Sequence, residues 1–582
     1  MRSSRIPLAL LLAATLACSD EIARPAAPQA IPDPPARLEA AIAPAASVTV
    51  TVRVPESMRR APFDVARRLT VPPGFTVAVY ARVSGARFMA VAPNGDLLVS
   101  RPGAGKVARV RPGANGADPT VSDYLTGLRK PHDLVFHTSA GATWLYVAES
   151  HQIARYAYDP ASGAVGGRAV VVAGLPDGSL PELHGRYGHE LKNIAVGRDG
   201  RLYVSIASSC NACLSDTQSS PTRGAVYVYD GDGGGRRRFA RGLRNAEGLA
   251  FVPGTNTLWA VVNNRDNVAY PFHRDFNGNG TDDYGKVLAG YVDNHPPEEF
   301  TRVRDGGNYG WPFCNPSPDS PSGYDAMPFD RDVQTNAGGS RLDCATADRI
   351  DQGIQAHSAP LGLAFLHGTR FPVAYQPGVA IALHGSWNRS ARTGYKVIYF
   401  PWDAAAGLPT APADLVRGWL DAGPWGRPVD VAVDQAGRLL ISDDQSGTIY
   451  RLTSTAPREV RYEGERAHLS GVRVLTTLGG YSGDGYADYT NPSGDYIEWT
   501  VSAPTSGTRT LGFHYALRAD SRALRITVNG TTVRSSLSFP ATGSFAAWQR
   551  LSITATLVAG RNTVRATAIG SSGPNVDYLA VR

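Results

Sequence analysis

The stretch Asn193-Ile194-Ala195-Val196-Gly197-Arg198-Asp199-Gly200-Arg201-Leu202-Tyr203-Val204-Ser205 decides the fold. Two short apolar runs flank a turn that carries Asp-Gly, the chemistry of a tight hairpin. Neither run alternates polar with apolar, so both read as strands covered on two faces. The pattern recurs along the chain. First strands are Phe88–Val91, His132–Phe136, Asn193–Val196, Gly248–Phe251, Gly362–Phe365 and Val429–Val433. Second strands are Leu97–Ser100, Trp144–Val147, Leu202–Ser205, Leu258–Val261, Val379–Ala382 and Leu439–Ser442. Asn94-Gly95 and Ala436-Gly437 mark two more of the reversals. A sheet this small cannot bury its faces alone. Six copies packed radially give an all-β fold, a six-bladed β-propeller, over residues 62–456. Loops leaving the second strands then gather at one end of the central channel, where ligands are expected.

Beyond residue 458 the pattern changes to alternating strands, such as Tyr496–Val501 and Leu524–Val528, with a turn at Asn529-Gly530. Residues 458–582 therefore read as a second all-β domain, a C-terminal β-sandwich of jelly-roll type. At the other end, Arg2 and Arg5 precede the apolar run Ile6–Ala17, too short to span a bilayer. Residues 1–18 are expected to be an export signal closing on Thr15-Leu16-Ala17-Cys18, with Cys18 the lipidated residue. Residues 19–60, rich in Ala and Pro, are expected to be a disordered linker. The expected location is the periplasm or cell envelope, with membrane contact only through the lipid anchor.

The chain has 582 residues and a net charge of +7. That balance, with Arg236-Arg237-Arg238 the one basic run of note, argues against nucleic acid as a partner. Of the five cysteines, Cys210, Cys213, Cys314 and Cys344 remain if Cys18 carries lipid. An even remainder in an exported protein suggests disulfides. Three pairings are possible, and neighbours 210–213 and 314–344 make the simplest. Zinc lacks a second ligand pair near Cys210 and Cys213, and Leu214 stands where haem attachment needs His.

Polar residues collect in the blade loops: His189, Arg244-Asn245, His384–Arg389 and Trp425–Pro428. Several guanidinium groups converging on one channel mouth would grip an anion through paired hydrogen bonds. A separate insertion, Asp275–Asp283, sets Asp275, Asn277, Asn279 and Asp283 at positions 1, 3, 5 and 9, with Gly280 at 6. That is calcium-loop spacing, and a structural calcium is expected there.

These residues carry a resemblance. Residues 65–455 resemble the soluble glucose and sorbosone dehydrogenases that use pyrroloquinoline quinone (PQQ), and the fungal PQQ pyranose dehydrogenases. The matching segments are Gly242–Asn245, Asn308–Pro312, Ala359–Gly362, His384–Arg389 and Gly426–Asp430. The resemblance implies PQQ and calcium as cofactors. It makes His189 the general base and Arg244 the contact to sugar and reduced quinone. It assigns Asn245, Arg427 and Arg389 to PQQ, and puts His132 where an amide contacts the quinone region. It gives catalytic calcium to backbone carbonyls of the loop holding Asn263 and Asn264. Two departures stand out: Val429 replaces an Arg of the glucose enzymes, and Glu190-Leu191-Lys192 is not the usual run after the base. Residues 461–582 resemble family-35 carbohydrate-binding modules through Tyr462–Glu465, Gly480–Tyr486, Val528–Gly530 and Gly573–Asp577. That implies a structural calcium on Glu463, Glu465 and Asp577, with Tyr486 and Asn575 facing sugar. Trp548 either stacks on the sugar or fills the core.

The implied reaction oxidises a sugar or aldose by hydride transfer to the quinone while a neutral imidazole takes the hydroxyl proton. The implied partners are a sugar substrate, polysaccharide through the module, and an external electron acceptor, cytochrome or quinone. Two other readings stay open: a non-catalytic glycan-binding propeller and a calcium-dependent lactone hydrolase, since fold alone does not choose.

Overall fold

The computed structural model describes residues 47–403, 406–455 and 459–582. The export signal, Cys18 and residues 19–46 of the expected linker lie outside them. Residues 47–60 do not continue a disordered tether. Val48–Thr51 pairs antiparallel with Arg68–Val71, Val48 opposite Val71, and Val52 and Met58 are buried. The reason is local: Val48-Thr49-Val50-Thr51-Val52 is β-branched throughout, and such residues favour the pleated strand.

Six antiparallel sheets follow one another. Each starts from a first strand: Met89–Val91, Leu134–Ser139, Ile194–Val196, Ala246–Phe251, Pro360–Phe365 and Pro428–Val433. Each first strand pairs with the strand after it in the chain. The first strands of consecutive sheets touch in a closed cycle, with Pro428–Val433 meeting Met89–Val91. The sixth sheet takes its outer strand from the other end of the chain: Phe75–Arg82 pairs with Thr448–Ser454, Phe75 opposite Ser454. Between neighbouring sheets lie apolar clusters, such as Leu134, Leu145 and Val147 with Leu98 and Val107. This packing answers the expectation that both faces of each sheet are covered. The fourth sheet carries the long insertions, and within them Cys314 is bonded to Cys344.

Residues 460–582 form two further sheets. One holds Val472–Leu475, Tyr486–Tyr489, Asn575–Val581, Gly507–Ala516 and Trp548–Leu557; the other holds Tyr496–Ala503, Gly560–Ala568, Arg522–Val528 and Thr531–Phe539. Trp499, Phe513, Tyr515 and Phe539 fill the space between them. Facing sheets over one apolar layer make a β-sandwich. A cavity of about 450 Å³ marks the seam between the two domains, lined by Arg370, Gln376 and Gly437 on one side and by Arg461, Arg550 and Arg582 on the other. Gln376 and Gly437 precede strands Gly378–Leu383 and Leu439–Asp443, whereas His384 and Asp444 follow them. The seam and the loops after these second strands are thus a full strand apart, roughly 20 Å.

A chain beginning at residue 84 leaves Thr448–Ser454 as an open edge. It is expected to lose its cooperative melting transition, monitored by circular dichroism. A soluble truncated chain that melts like the intact protein would contradict this topology.

Candidate active site

The site is built where strand starts and second-strand exits meet. Arg244 stands just before the fourth sheet and is 5% exposed. A charge buried that deeply needs full hydrogen bonding. Its Nε donates to the Asn211 carbonyl (3.1 Å) and its Nη2 to the Asn211 side-chain oxygen (3.2 Å). Nη1 donates to the carbonyls of Asn264 (2.6 Å) and Asn263 (3.3 Å), and Nη2 lies 3.4 Å from Asp266. Asp266 also sits 3.5 Å from His357 Nδ1. Burial pushes the Asp266 carboxyl up, but the His357 hydrogen bond and the Arg244 charge outweigh it and hold it low.

His189 belongs to this group. Its Nδ1 is 2.9 Å from the Ser208 carbonyl and 3.0 Å from Ser208 Oγ. Desolvation, then the Arg244 charge, lower its pKa to about 4. The imidazole is therefore neutral at pH 7. With Nδ1–H given to the carbonyl, the lone pair rests on Nε2, which is the arrangement of a proton acceptor.

Beneath lies a charged core. His132 is fully buried, its Nε2 3.1 Å from Glu247, and Asn245 Nδ2 donates to the other Glu247 oxygen at 3.2 Å. Burial holds His132 neutral, and its hydrogen bond to Glu247 keeps that carboxylate ionised against desolvation. The expectation that His132 contacts a quinone is corrected: Phe88 covers its ring at 4.4 Å and no surface remains. Asn245 likewise turns its amide inward. Lys192 is fully buried, its ammonium donating to the Glu190 carbonyl and lying 5.1 Å from the Tyr187 ring; burial lowers its pKa to about 7.

Arg427 lines an open cavity of about 510 Å³ together with Arg87, His384, Asp444 and Leu191. Its Nε and Nη2 donate to the carbonyls of His384 (3.0 Å) and Gly385 (2.9 Å). Asp444 binds Arg87 Nη1 (2.8 Å) and His384 Nε2 (2.9 Å). Arg389 is not among the residues lining this cavity. Its Nε donates to Ala391 within its own loop and its Nη1 is buried without a partner.

Metal expectations fare unevenly. Among the described residues no set of three or more His, Cys, Asp and Glu stands ready to hold an ion. In the Asp275–Asp283 loop, Asp275 accepts the amides of Asn279 and Gly280, and Asp283 accepts those of Phe276 and Asn277. Asn279 serves Thr281, and the Lys286 ammonium sits 2.9 Å from Asp283. The oxygens of Asp275, Asn279 and Asp283 are thus bonded to the loop's own amides and to Lys286. In the sandwich, Glu463 and Asp577 share the Ser482 hydroxyl. Glu465 Oε2 is buried without a partner, and burial plus the charges of Asp577 and Glu465 raise the Glu463 carboxyl. Tyr486 and Asn575 are 1% and 5% exposed, so neither faces a sugar as expected. Tyr486 instead meets the edge of half-buried Trp548, which stacks beside His514.

Sequence reading missed Asn211, Glu247, Asp266, His357, Asp444 and Arg87. One signal was available for Arg87: like Arg244 and Arg427, it stands one or two residues before the first strand of its sheet. The others act through hydrogen bonds across sheets, which no local pattern shows. Cys210 and Cys213 are bonded to each other in the loop that holds Asn211.

Comparison with known proteins matches residues 69–455 to the family described as TrAA12-like, and residues 460–582 to carbohydrate binding module family 35. A pyrroloquinoline quinone-dependent pyranose dehydrogenase of Coprinopsis cinerea is 25% identical over 429 residues, covering 66% of this chain and 54% of that protein. An exo-beta-D-glucosaminidase of Amycolatopsis orientalis is 36% identical over 124 residues, 21% of this chain and 12% of its own length. The chain thus spans about half or less of these curated relatives. The solved holo PQQ domain of the Coprinopsis cinerea pyranose dehydrogenase shares the fold, with a TM-score of 0.53, 22% identity, and coverage of 66% of this chain and 97% of that one.

Histidine-selective NMR of the protein, with the resonance assigned through His189→Ala, is expected to show His189 titrating near pH 4. Arg244→Gln removes a neighbouring positive charge and should move that midpoint upward. A midpoint at an ordinary histidine value, unmoved by Arg244→Gln, would place the two side chains apart.

Proposed function

Because the chain belongs to the TrAA12-like family, with a family-35 carbohydrate-binding module fused behind it, we propose that it oxidises a sugar or aldose, using PQQ as hydride acceptor, on a six-bladed propeller. The observation that carries this reading is the neutral, half-buried His189 beside the buried Arg244. The cyclic contact of six first strands supports the blade count, and the two facing sheets of residues 460–582 fit a jelly roll.

The donor set suits a planar tricarboxylate. Arg87 and Arg427 share one cavity with His384, and the buried, unpartnered Nη1 of Arg389 is a donor that lacks an acceptor. Guanidinium forks match carboxylates in pairs. Bound PQQ supplies the two-electron acceptor. The chain supplies the rest. His189 Nε2 takes the proton from the sugar hydroxyl as hydride leaves the same carbon. The resulting imidazolium is disfavoured by burial and by Arg244, so the proton passes on readily. Arg244 presents fixed positive charge to the oxygen that gains electron density.

Calcium has ligands on offer in the carbonyls of Asn263 and Asn264, but the Arg244 guanidinium occupies them. In the module, the gathered charges of Glu463, Glu465 and Asp577 favour a hard cation. Trp548 is the aromatic left partly open for a sugar. Because the seam lies a strand's length from His384 and Asp444, the module holds carbohydrate without covering the mouth. The expected electron acceptor is an external cytochrome or quinone, and the expected setting is the cell envelope.

Reconstitution tests the reading. Protein given PQQ and calcium is expected to reduce a redox dye with at least one sugar of a broad panel. His189→Ala should cut kcat by about 10²–10⁴ and leave PQQ bound. Lack of both PQQ binding and dye reduction would leave a non-catalytic glycan binder or a lactone hydrolase. Removing residues 459–582 should preserve turnover of free sugars and release the protein from immobilised polysaccharide; unchanged retention would show that the module does not bind.

A further inference from the structure

The loop Ser208–Cys213 bonds to His189, Arg244 and Asp266. Ser208 accepts from His189 through its carbonyl and lies 3.0 Å away through its hydroxyl, while its amide donates to the Arg244 carbonyl at 2.8 Å. The Ser209 carbonyl accepts from the Gly188 amide at 3.1 Å, next to His189. Asn211 is the most heavily used residue. Its carbonyl accepts from Arg244 Nε and from Trp311 Nε1 (3.1 Å each). Its side-chain oxygen accepts from Arg244 Nη2 (3.2 Å) and from the Asp266 amide (2.8 Å), and its Nδ2 donates to the Asp266 carbonyl at 2.7 Å. The loop lacks regular secondary structure from Ala207 to Cys213, so these bonds depend on what pins it. On one side Ser209 is fixed to Asp216, its amide at 2.6 Å and its hydroxyl at 2.7 Å. On the other, the Cys210–Cys213 bond closes a ring around Asn211 and Ala212 alone.

We propose that this disulfide is a redox-operated strap on the active site: closed, it holds Asn211 and Ser208 so that Arg244 and His189 keep their working pose; opened by a dithiol, it releases them and slows turnover. The inference rests on the roles given to His189 and Arg244 above. The chemistry balances within thiol–disulfide exchange. One thiolate of the external dithiol attacks a cystine sulfur and forms a mixed disulfide. The second thiolate displaces the other protein sulfur. Two electrons and two protons reach Cys210 and Cys213, and the reductant leaves as its own disulfide. Access favours this bond over the other one. Cys210 is exposed, whereas Cys314 is 2% exposed. The partner implied is a dithiol oxidoreductase or a small dithiol.

The test has one arm without cofactor and one with it. PQQ-free protein is treated with graded dithiothreitol, and free thiols are alkylated and mapped by mass spectrometry. Cys210 and Cys213 are expected to react first, with Cys314–Cys344 intact. At that stage amide hydrogen exchange should rise about tenfold or more in peptides covering 205–216 and 240–246, as expected when a local segment opens. In loaded enzyme the same reduction should lower kcat by about tenfold to a hundredfold, the scale of a slight misplacement of catalytic groups. Reoxidation should restore it, and the double variant Cys210→Ser/Cys213→Ser should match the reduced form. Full reduction of this pair with unchanged exchange overturns the proposal, and so does faster exchange with unchanged kcat. Oxidised enzyme that turns over no sugar would instead sink the sugar-oxidation reading, while the exchange arm still reports on the strap.

Discussion

A single buried guanidinium organises the catalytic end of this protein. Arg244 cannot lose its charge, and out of water that charge is tolerated only when acceptors surround it. Asn211 comes from the third sheet's exit loop, and Asn263, Asn264 and Asp266 from the fourth sheet's. Meeting one guanidinium fixes the relative position of these two loops. The same positive charge, added to desolvation, keeps the neighbouring imidazole unprotonated. Geometry and proton affinity therefore have one source.

The support below follows the same rule. Glu247 keeps its charge in the interior because His132 and Asn245 both turn toward it. Two residues that resemblance assigns to a cofactor thus spend their polar atoms on a carboxylate. Such a network rigidifies only while every member is satisfied. His132 keeps one ring nitrogen unpartnered and Lys192 lies buried nearby, so the arrangement is poised rather than saturated.

The strand plan was legible because apolar runs and Gly-bearing turns are local signals. All twelve expected strands in the six sheets are present with small shifts at their ends. What closes the ring was not legible: Phe75–Arg82 reads as an ordinary strand, and its partnership with Thr448–Ser454 is a matter of topology. The limit was similar at the site. His189 and Arg244 stood out as polar residues at loop positions and share Ser208 as a partner, and Arg427 lines a cavity with a second, unanticipated arginine. The sandwich misled for a physical reason. A tyrosine at a strand start points to either face of a sheet, and an error of one residue exchanges ligand surface for core; Tyr486 lies on the buried side.

The outer strand of the sixth sheet carries a kinetic consequence. During synthesis from the N-terminus, Phe75–Arg82 emerges hundreds of residues before Thr448–Ser454, the strand it pairs with in its sheet. Arg53 bonds Val77 and Val79 on one side, but until then the edge that meets Thr448–Ser454 remains available to other strands. Pairings this far apart in sequence slow folding. Closing the ring thus waits on the last stretch of the propeller to be made, and a chaperone that shields the waiting edge would act there, away from the chemistry.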